Sequence, residues 1–251
     1  MSLLRWVRIC GWAAGLLLWQ TTLVVCAQES TVTGQVEIVK ANGKGQSEAK
    51  AKTGSAENVA IWLTSTDATP ETSAERNART TVQLVQKNKS FDPHLTVIEV
   101  GSVVNFPNKD PFFHNVFSLF NGKRFDLGLY EAGSSNSVHF DRAGISYLFC
   151  NIHPEMSGVV VVVPTPYFGV SNGAGKVTLA NVPNGRYRLH VWYEKSSAED
   201  LAKLERDVVI SDASRTLEPI HVVESLAPNL AHKNKYGKDY VPPAGPTYSH
   251  P

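Results

Sequence analysis

From residue 31 onward, apolar and polar residues alternate over short stretches broken by Gly, Pro, Asn and Asp. A period of two marks strands with one buried face. Thr31 to Val39 (TVTGQVEIV) alternates, and Asn58 to Leu63 (NVAIWL) is a second, more apolar strand. Val82 to Gln86 alternates again. Leu95 to Val100 and Val103 to Phe106 flank Gly101, which predicts a hairpin. Ser137 to Phe140 and Ile145 to Cys150 follow, with a turn at Arg142-Ala143-Gly144. Val159 to Val163 is all valine, which suits a buried strand. Lys176 to Leu179, a turn at Val182-Pro183-Asn184-Gly185, and Tyr187 to Tyr193 form a second hairpin-like unit. Val208 to Ile210 and Ile220 to Val223 close the pattern. A short helix is predicted within Ser197 to Arg206, with Ser197 as its N-cap. Short strands at this spacing predict an all-β chain built as sandwiches.

Three stretches fall outside the pattern. Residues 1–27 read as a secretory signal peptide: Arg5 and Arg8, a short apolar run from Ile9 to Trp19, and small residues before a cleavage site at Ala27. The run is too short for a membrane span. Val25 is a poor residue before a lipidated Cys26. Export places the mature chain in a periplasm or outside the cell, with no stable membrane insertion after cleavage. Ser65 to Thr80 reads as a polar linker, and residues 225–251, rich in Pro, Lys, Tyr, Asn and Gly, as an extended or disordered tail. Charge is balanced, with 24 Lys and Arg against 23 Asp and Glu. Nothing in that balance suggests a nucleic-acid partner.

Cysteine usage sharpens the picture. Cys10 and Cys26 leave with the signal, so Cys150 remains without an intramolecular partner. A lone thiol in an oxidising compartment is a liability unless something buries or uses it. Cys150, His153 and Met156 form Cys-x-x-His-x-x-Met in YLFCNIHPEMSG. A thiolate, an imidazole and a weak thioether, joined by a second histidine, make the donor set of a blue-copper centre. His114 in DPFFHNV is well placed to be that histidine. Zinc gains little from a thioether, and covalent haem needs a second cysteine. Cys150 and His153 have no identifiable oxyanion hole or orienting third group, so the chain is not expected to be an enzyme. His139, His190 and His221 fall on polar strand phases. His94 precedes a strand, and His232 and His250 lie in the tail.

Residues 81–164 resemble a cupredoxin of the amicyanin, plastocyanin and pseudoazurin group. The resemblance is carried by VIEVGSVVNFPN at 97–108, by His114-Asn115-Val116, and by Gly144-Ile145-Ser146-Tyr147 leading to Cys150, His153, Met156 and Gly158. Two residues between His153 and Met156 match the short loop of amicyanin. The resemblance implies a cupredoxin Greek-key β-sandwich and one type 1 copper ion on His114, Cys150, His153 and Met156. It implies that Asn115 ties the two ligand loops together near the sulfur. It also implies transfer of single electrons between redox protein partners that dock transiently, with His153 near the surface as the exit. Copper handling without electron transfer, or a docking module with structural copper, are the alternatives. Phe149 stands where plastocyanins have tyrosine before the ligand cysteine.

Val170 to Glu194 resembles the C-terminal half of a carboxypeptidase regulatory-like, prealbumin-like β-sandwich. Thr33 to Val36 and Val59 to Leu63 resemble its N-terminal half. Residues 31–66 and 167–224 are therefore expected to form one discontinuous sandwich, with the cupredoxin at 81–164 inserted into it. The whole layout is similar to that of exported proteins of the methylamine-utilisation kind.

Overall fold

In the computed structural model, residues 31–40, 55–67, 80–119, 122–225 and 233–240 are described. The signal segment, most of the linker, His232 and His250 lie outside them. Two strands come first, β1 (Val32–Lys40) and β2 (Ala60–Ser65). The middle of the chain holds β3 (Thr81–Gln83), β4 (Val85–Lys87), β5 (Ser90–Asp92), β6 (Leu95–Glu99) and β7 (Val103–Pro107). It continues with β8 (His114–Ser118), β9 (Phe125–Tyr130), β10 (Ser135–His139), β11 (Gly144–Phe149) and β12 (Ser157–Val163). The last stretch has β13 (Phe168–Val170), β14 (Lys176–Leu179), β15 (Gly185–Trp192), helix α1 (Ala198–Ala202), β16 (Arg206–Ile210) and β17 (Ile220–Glu224). The fold is all-β, and α1 begins where its cap predicts: the Ser197 side chain accepts the Asp200 N–H.

In the middle region, a five-stranded sheet in the order β6-β12-β11-β8-β9 faces a three-stranded sheet in the order β10-β7-β3. Between them pack Ile98, Val104, Phe106, Val116, Val138, Phe140, Leu148, Val160 and Val162, together with Cys150 and Met156. The predicted hairpin around Gly101 is not one. β6 pairs with β12, whereas β7 pairs with β10 and β3. The Val100 N–H donates to the Val163 carbonyl in one sheet, and the Gly101 N–H to the Phe140 carbonyl beside the other. Gly101 takes φ 94, which favours glycine at this crossing.

The second hairpin-like unit behaves the same way. β14 pairs with β1, and β15 pairs with β2 and β16. β1 also runs parallel to β17, with Val36 opposite Ile220. The sheets β14-β1-β17 and β13-β2-β15-β16 enclose a core that includes Val32, Val36, Ile61, Leu63, Val177, Leu179, Leu189 and Ile220. The first two strands of the chain thus pair with strands that lie after residue 167.

A third apolar layer joins the two pairs of sheets. Leu95, Val97, Val159, Val161 and Val163 meet Ala60 and Trp192, with Trp62, Phe168 and Tyr147 beside them. β12 is therefore covered on both faces, which is why its valines run without interruption. At the rim of this layer the His94 ring meets the Glu194 carboxylate at 2.7 Å.

Candidate metal centre

The loop between β11 and β12 comprises residues 150–156, and β8 begins at His114. These neighbouring strands put the Cys-x-x-His-x-x-Met segment beside His114. β8 is buried along its whole length, and its pairing with β9 shifts register between Asn115 and Phe117. Such irregularities re-aim side chains beside functional sites. The loop closes on itself: the Met156 N–H donates to the His153 carbonyl at 3.1 Å, and the Cys150 N–H to the Met156 carbonyl at 3.3 Å.

Three donor atoms converge. Cys150 Sγ lies 3.8 Å from His114 Nδ1 and 3.5 Å from His153 Nδ1, and the two Nδ1 atoms are 3.1 Å apart. Metal–nitrogen bonds of about 2.0 Å and metal–sulfur bonds of about 2.3 Å would set such donors roughly 3.3–3.6 Å apart around one tetrahedral ion. The donor set and its spacing therefore fit a single soft-to-borderline metal ion. Among the described residues, this is the group of His, Cys, Asp and Glu whose ligand atoms could share an ion. Met156 is fully buried in the same core as Cys150, on the same loop.

Protonation suits the same task. The Asp110 carboxylate holds His114 Nε2 at 2.8 Å, so that nitrogen carries the proton and Nδ1 keeps its lone pair for the site. Burial would raise the Asp110 carboxyl, but the N–H groups of Lys89 and Asn88 and the His114 ring outweigh it and hold it below the usual range. Burial, reinforced by His114, pushes His153 down to about 4, so its ring is neutral at neutral pH. Burial pushes the Cys150 thiol up. An arriving cation would have to displace that proton, which couples metal uptake to proton release.

Asp110 escapes the sequence reading. Its signal would have been Asp-x-x-x-His, from Asp110 to His114, but an aspartate before Pro111 reads as a turn former. In the fold it is buried and ties the β4–β5 turn to the site. Asn88 and Lys89 both have positive φ there, and their N–H groups reach the two Asp110 oxygens at 2.7 and 2.9 Å. Phe112 stands edge-on to both imidazoles, with centroids 5.3 Å from His114 and 5.5 Å from His153. Asn115 Oδ1 accepts the Asn151 N–H at 3.3 Å, while its Nδ2 donates to Asp126 at 2.7 Å and to the Gly128 carbonyl at 2.9 Å.

Among the described residues, the other histidines lie elsewhere. His139 is exposed. His190, expected to face solvent, stacks on Trp62 at 5.2 Å and contacts Thr64 and Glu205. His221 pairs with Glu37. Residues 233–240, read from composition as part of an extended or disordered tail, form a turn against the 150–156 loop.

No family model matches the chain, and no curated protein matches it. Over part of its length the chain is similar to solved cupredoxin structures. One is a purple cupredoxin from Nitrosopumilus maritimus, at 26% identity over 33% of this chain and 99% of that one, with a TM-score of 0.30. Another is a reduced amicyanin variant, at 24% identity over 41% of this chain and 99% of that one, with a TM-score of 0.31. A third is a Cu-containing nitrite reductase from Thermus scotoductus, at 25% identity and a TM-score of 0.32. The chain spans 22% of that reductase's length.

Proposed function

We propose that His114, Cys150, His153 and Met156 hold one copper ion of the type 1 kind, and that the protein carries single electrons between transient redox partners. The observation that carries this reading is the convergence of His114 Nδ1, His153 Nδ1 and Cys150 Sγ, with His114 and Cys150 buried and Asp110 holding the far nitrogen of His114. Copper bound there would supply one-electron chemistry through a thiolate and two imidazoles. The chain's part is to hold the donors still, so that neither oxidation state can rearrange them. His114, Cys150 and Met156 have no exposed surface. His153 is only half-buried; Ile152, beside it in the chain, is 42% exposed, and Phe113, next to His114, is 55% exposed. Electrons would leave through His153 into a partner seated on that small apolar face.

The burial of three of the four donors favours a carrier over a copper-handling protein, whose ligands must be reached and exchanged. In this reading residues 31–66 and 167–224 form a regulatory-like sandwich that receives the cupredoxin unit at 81–164. The pairing of β1 and β2 with β14, β15 and β17 supports it. The signal segment supports a periplasmic or secreted site of action. Among the described residues no helix is long and apolar enough to cross a membrane.

The test is to load the purified protein with Cu(II). An intense thiolate-to-copper absorption that bleaches reversibly on reduction, and is lost in Cys150→Ala, is the expected result. A band that persists in Cys150→Ala would refute the ligand assignment. A colourless site that holds only Cu(I), or sheds metal on each redox cycle, would favour copper handling instead.

A further inference from the structure

Residues 233–240 reach the 150–156 loop from far along the chain and grip it at two points, with a third hold on β9. The Lys235 N–H donates to Asn151 Oδ1 at 3.0 Å. Lys235 Nζ donates to Asp126 Oδ2 at 2.8 Å. The Tyr240 hydroxyl donates to the main-chain carbonyl of Cys150 at 2.8 Å. The segment is shaped for this by its own turn. Asn234 Oδ1 accepts the N–H groups of Tyr236 and Lys238, the Asn234 N–H donates to the Lys238 carbonyl at 2.8 Å, and Gly237 takes φ 73. Lys235 and Tyr240 are thereby presented as two prongs.

Both prongs engage one network. Asp126 offers one oxygen to Lys235 and the other to Asn115. Asn115 in turn accepts the N–H of Asn151. Asn151 is therefore held through its main chain by β8 and through its side chain by the C-terminal segment. Cys150 is held through its carbonyl.

We propose that residues 233–240 are a clamp that positions Cys150 for the metal, with Lys235 and Tyr240 as its positioning residues. The inference rests on the copper reading above. Cys150, His153 and Met156 share one seven-residue loop, so release of the ion requires that loop to open. Bonds that pin Cys150 and Asn151 from outside oppose that opening. The Tyr240 O–H dipole also turns its positive end onto the main chain of Cys150, which favours the reduced ion.

The experiment uses the full chain with Tyr240→Phe, Lys235→Ala and the conservative Lys235→Arg. In metal-free protein, backbone hydrogen exchange across residues 150–156 is expected to quicken in Tyr240→Phe and Lys235→Ala and to stay near the parent rate in Lys235→Arg. In copper-loaded protein, transfer of the ion to a chelator is expected to run about five-fold faster in Tyr240→Phe, the factor that corresponds to one neutral hydrogen bond. Its reduction potential is expected to fall. Parent-like exchange and parent-like release in both Tyr240→Phe and Lys235→Ala would overturn the clamp. If the unaltered protein takes up no copper, the copper reading fails separately, and the exchange measurement alone decides whether the segment holds the loop.

Discussion

The Asp110 carboxylate accepts the Nε2–H of His114 at 2.8 Å, and this contact decides which ring nitrogen faces Cys150 and His153. The same carboxylate takes the N–H groups of Asn88 and Lys89, so one buried charge fixes both an imidazole and a neighbouring turn. Ligand histidines are commonly oriented by such a partner on the other nitrogen, which also makes them better donors.

Asp110→Asn should lower copper affinity by roughly ten- to a hundred-fold, the usual range for loss of such a partner. Competition titration against a chelator measures it. Nitrogen chemical shifts of the His114 ring in metal-free protein give a second readout, with mixed tautomers expected where the parent has one. An affinity equal to the parent's would remove Asp110 from the centre.

Met156 is fully buried, and Leu has nearly its volume. Met156→Leu should therefore fold, at a cost under about 1.5 kcal/mol. It should also raise the reduction potential, because a lost thioether weakens the oxidised ion more than the reduced one, and axial ligation tunes such sites. Voltammetry of the loaded variant checks this. An unchanged potential would mean that Met156 fills the core without touching the metal.

His94 and Glu194 join the two pairs of sheets at 2.7 Å. The Glu194 carboxylate holds His94 above its ordinary value, against the opposing effect of burial. An unfolded histidine titrates near about 6.5. Below that pH both states are protonated and the contact's stabilisation is complete. As pH rises through the higher folded value it is lost. Thermal midpoints of parent and Glu194→Gln should therefore differ most near pH 5.5 and converge by about pH 9. A constant difference across that range would break the argument. The effect will be small, since both side chains are partly exposed.

Ile152 is exposed beside His153 on the face assigned to docking. Ile152→Lys would place like charges together when two copies meet through that face, which disfavours the encounter. Electron self-exchange between oxidised and reduced protein, read from NMR line widths, should slow, with the visible spectrum unchanged. Parent-like self-exchange would locate the electron route elsewhere.

Much of the architecture was legible from period-two patterning, because alternation reports which side chains a strand buries. The valines of β12 announced a buried strand, and Ala60 and Trp192 show what covers its second face. Pairing was less legible. A glycine between two alternating runs looks the same whether the strands return to one sheet or cross to another. Gly101 crosses, and so does the turn from 182 to 185.

Among the candidate donors, Cys150, His153 and Met156 stood out because a scarce thiol and a scarce thioether sat three residues to either side of a histidine. His114 was visible through its local motif. Asp110, Lys235 and Tyr240 were not, since a turn aspartate and a polar tail carry no periodic signal. The chain's own order of residues thus determined the strands, their buried faces and the donor chemistry, all of which depend on near neighbours. Only the tertiary structure decided which strands pair, which nitrogen of His114 faces inward, and what grips Cys150. Those depend on hydrogen bonds between groups far apart in sequence, where one carboxylate, ammonium or hydroxyl acts only once folding has brought it within about 3 Å of its partner.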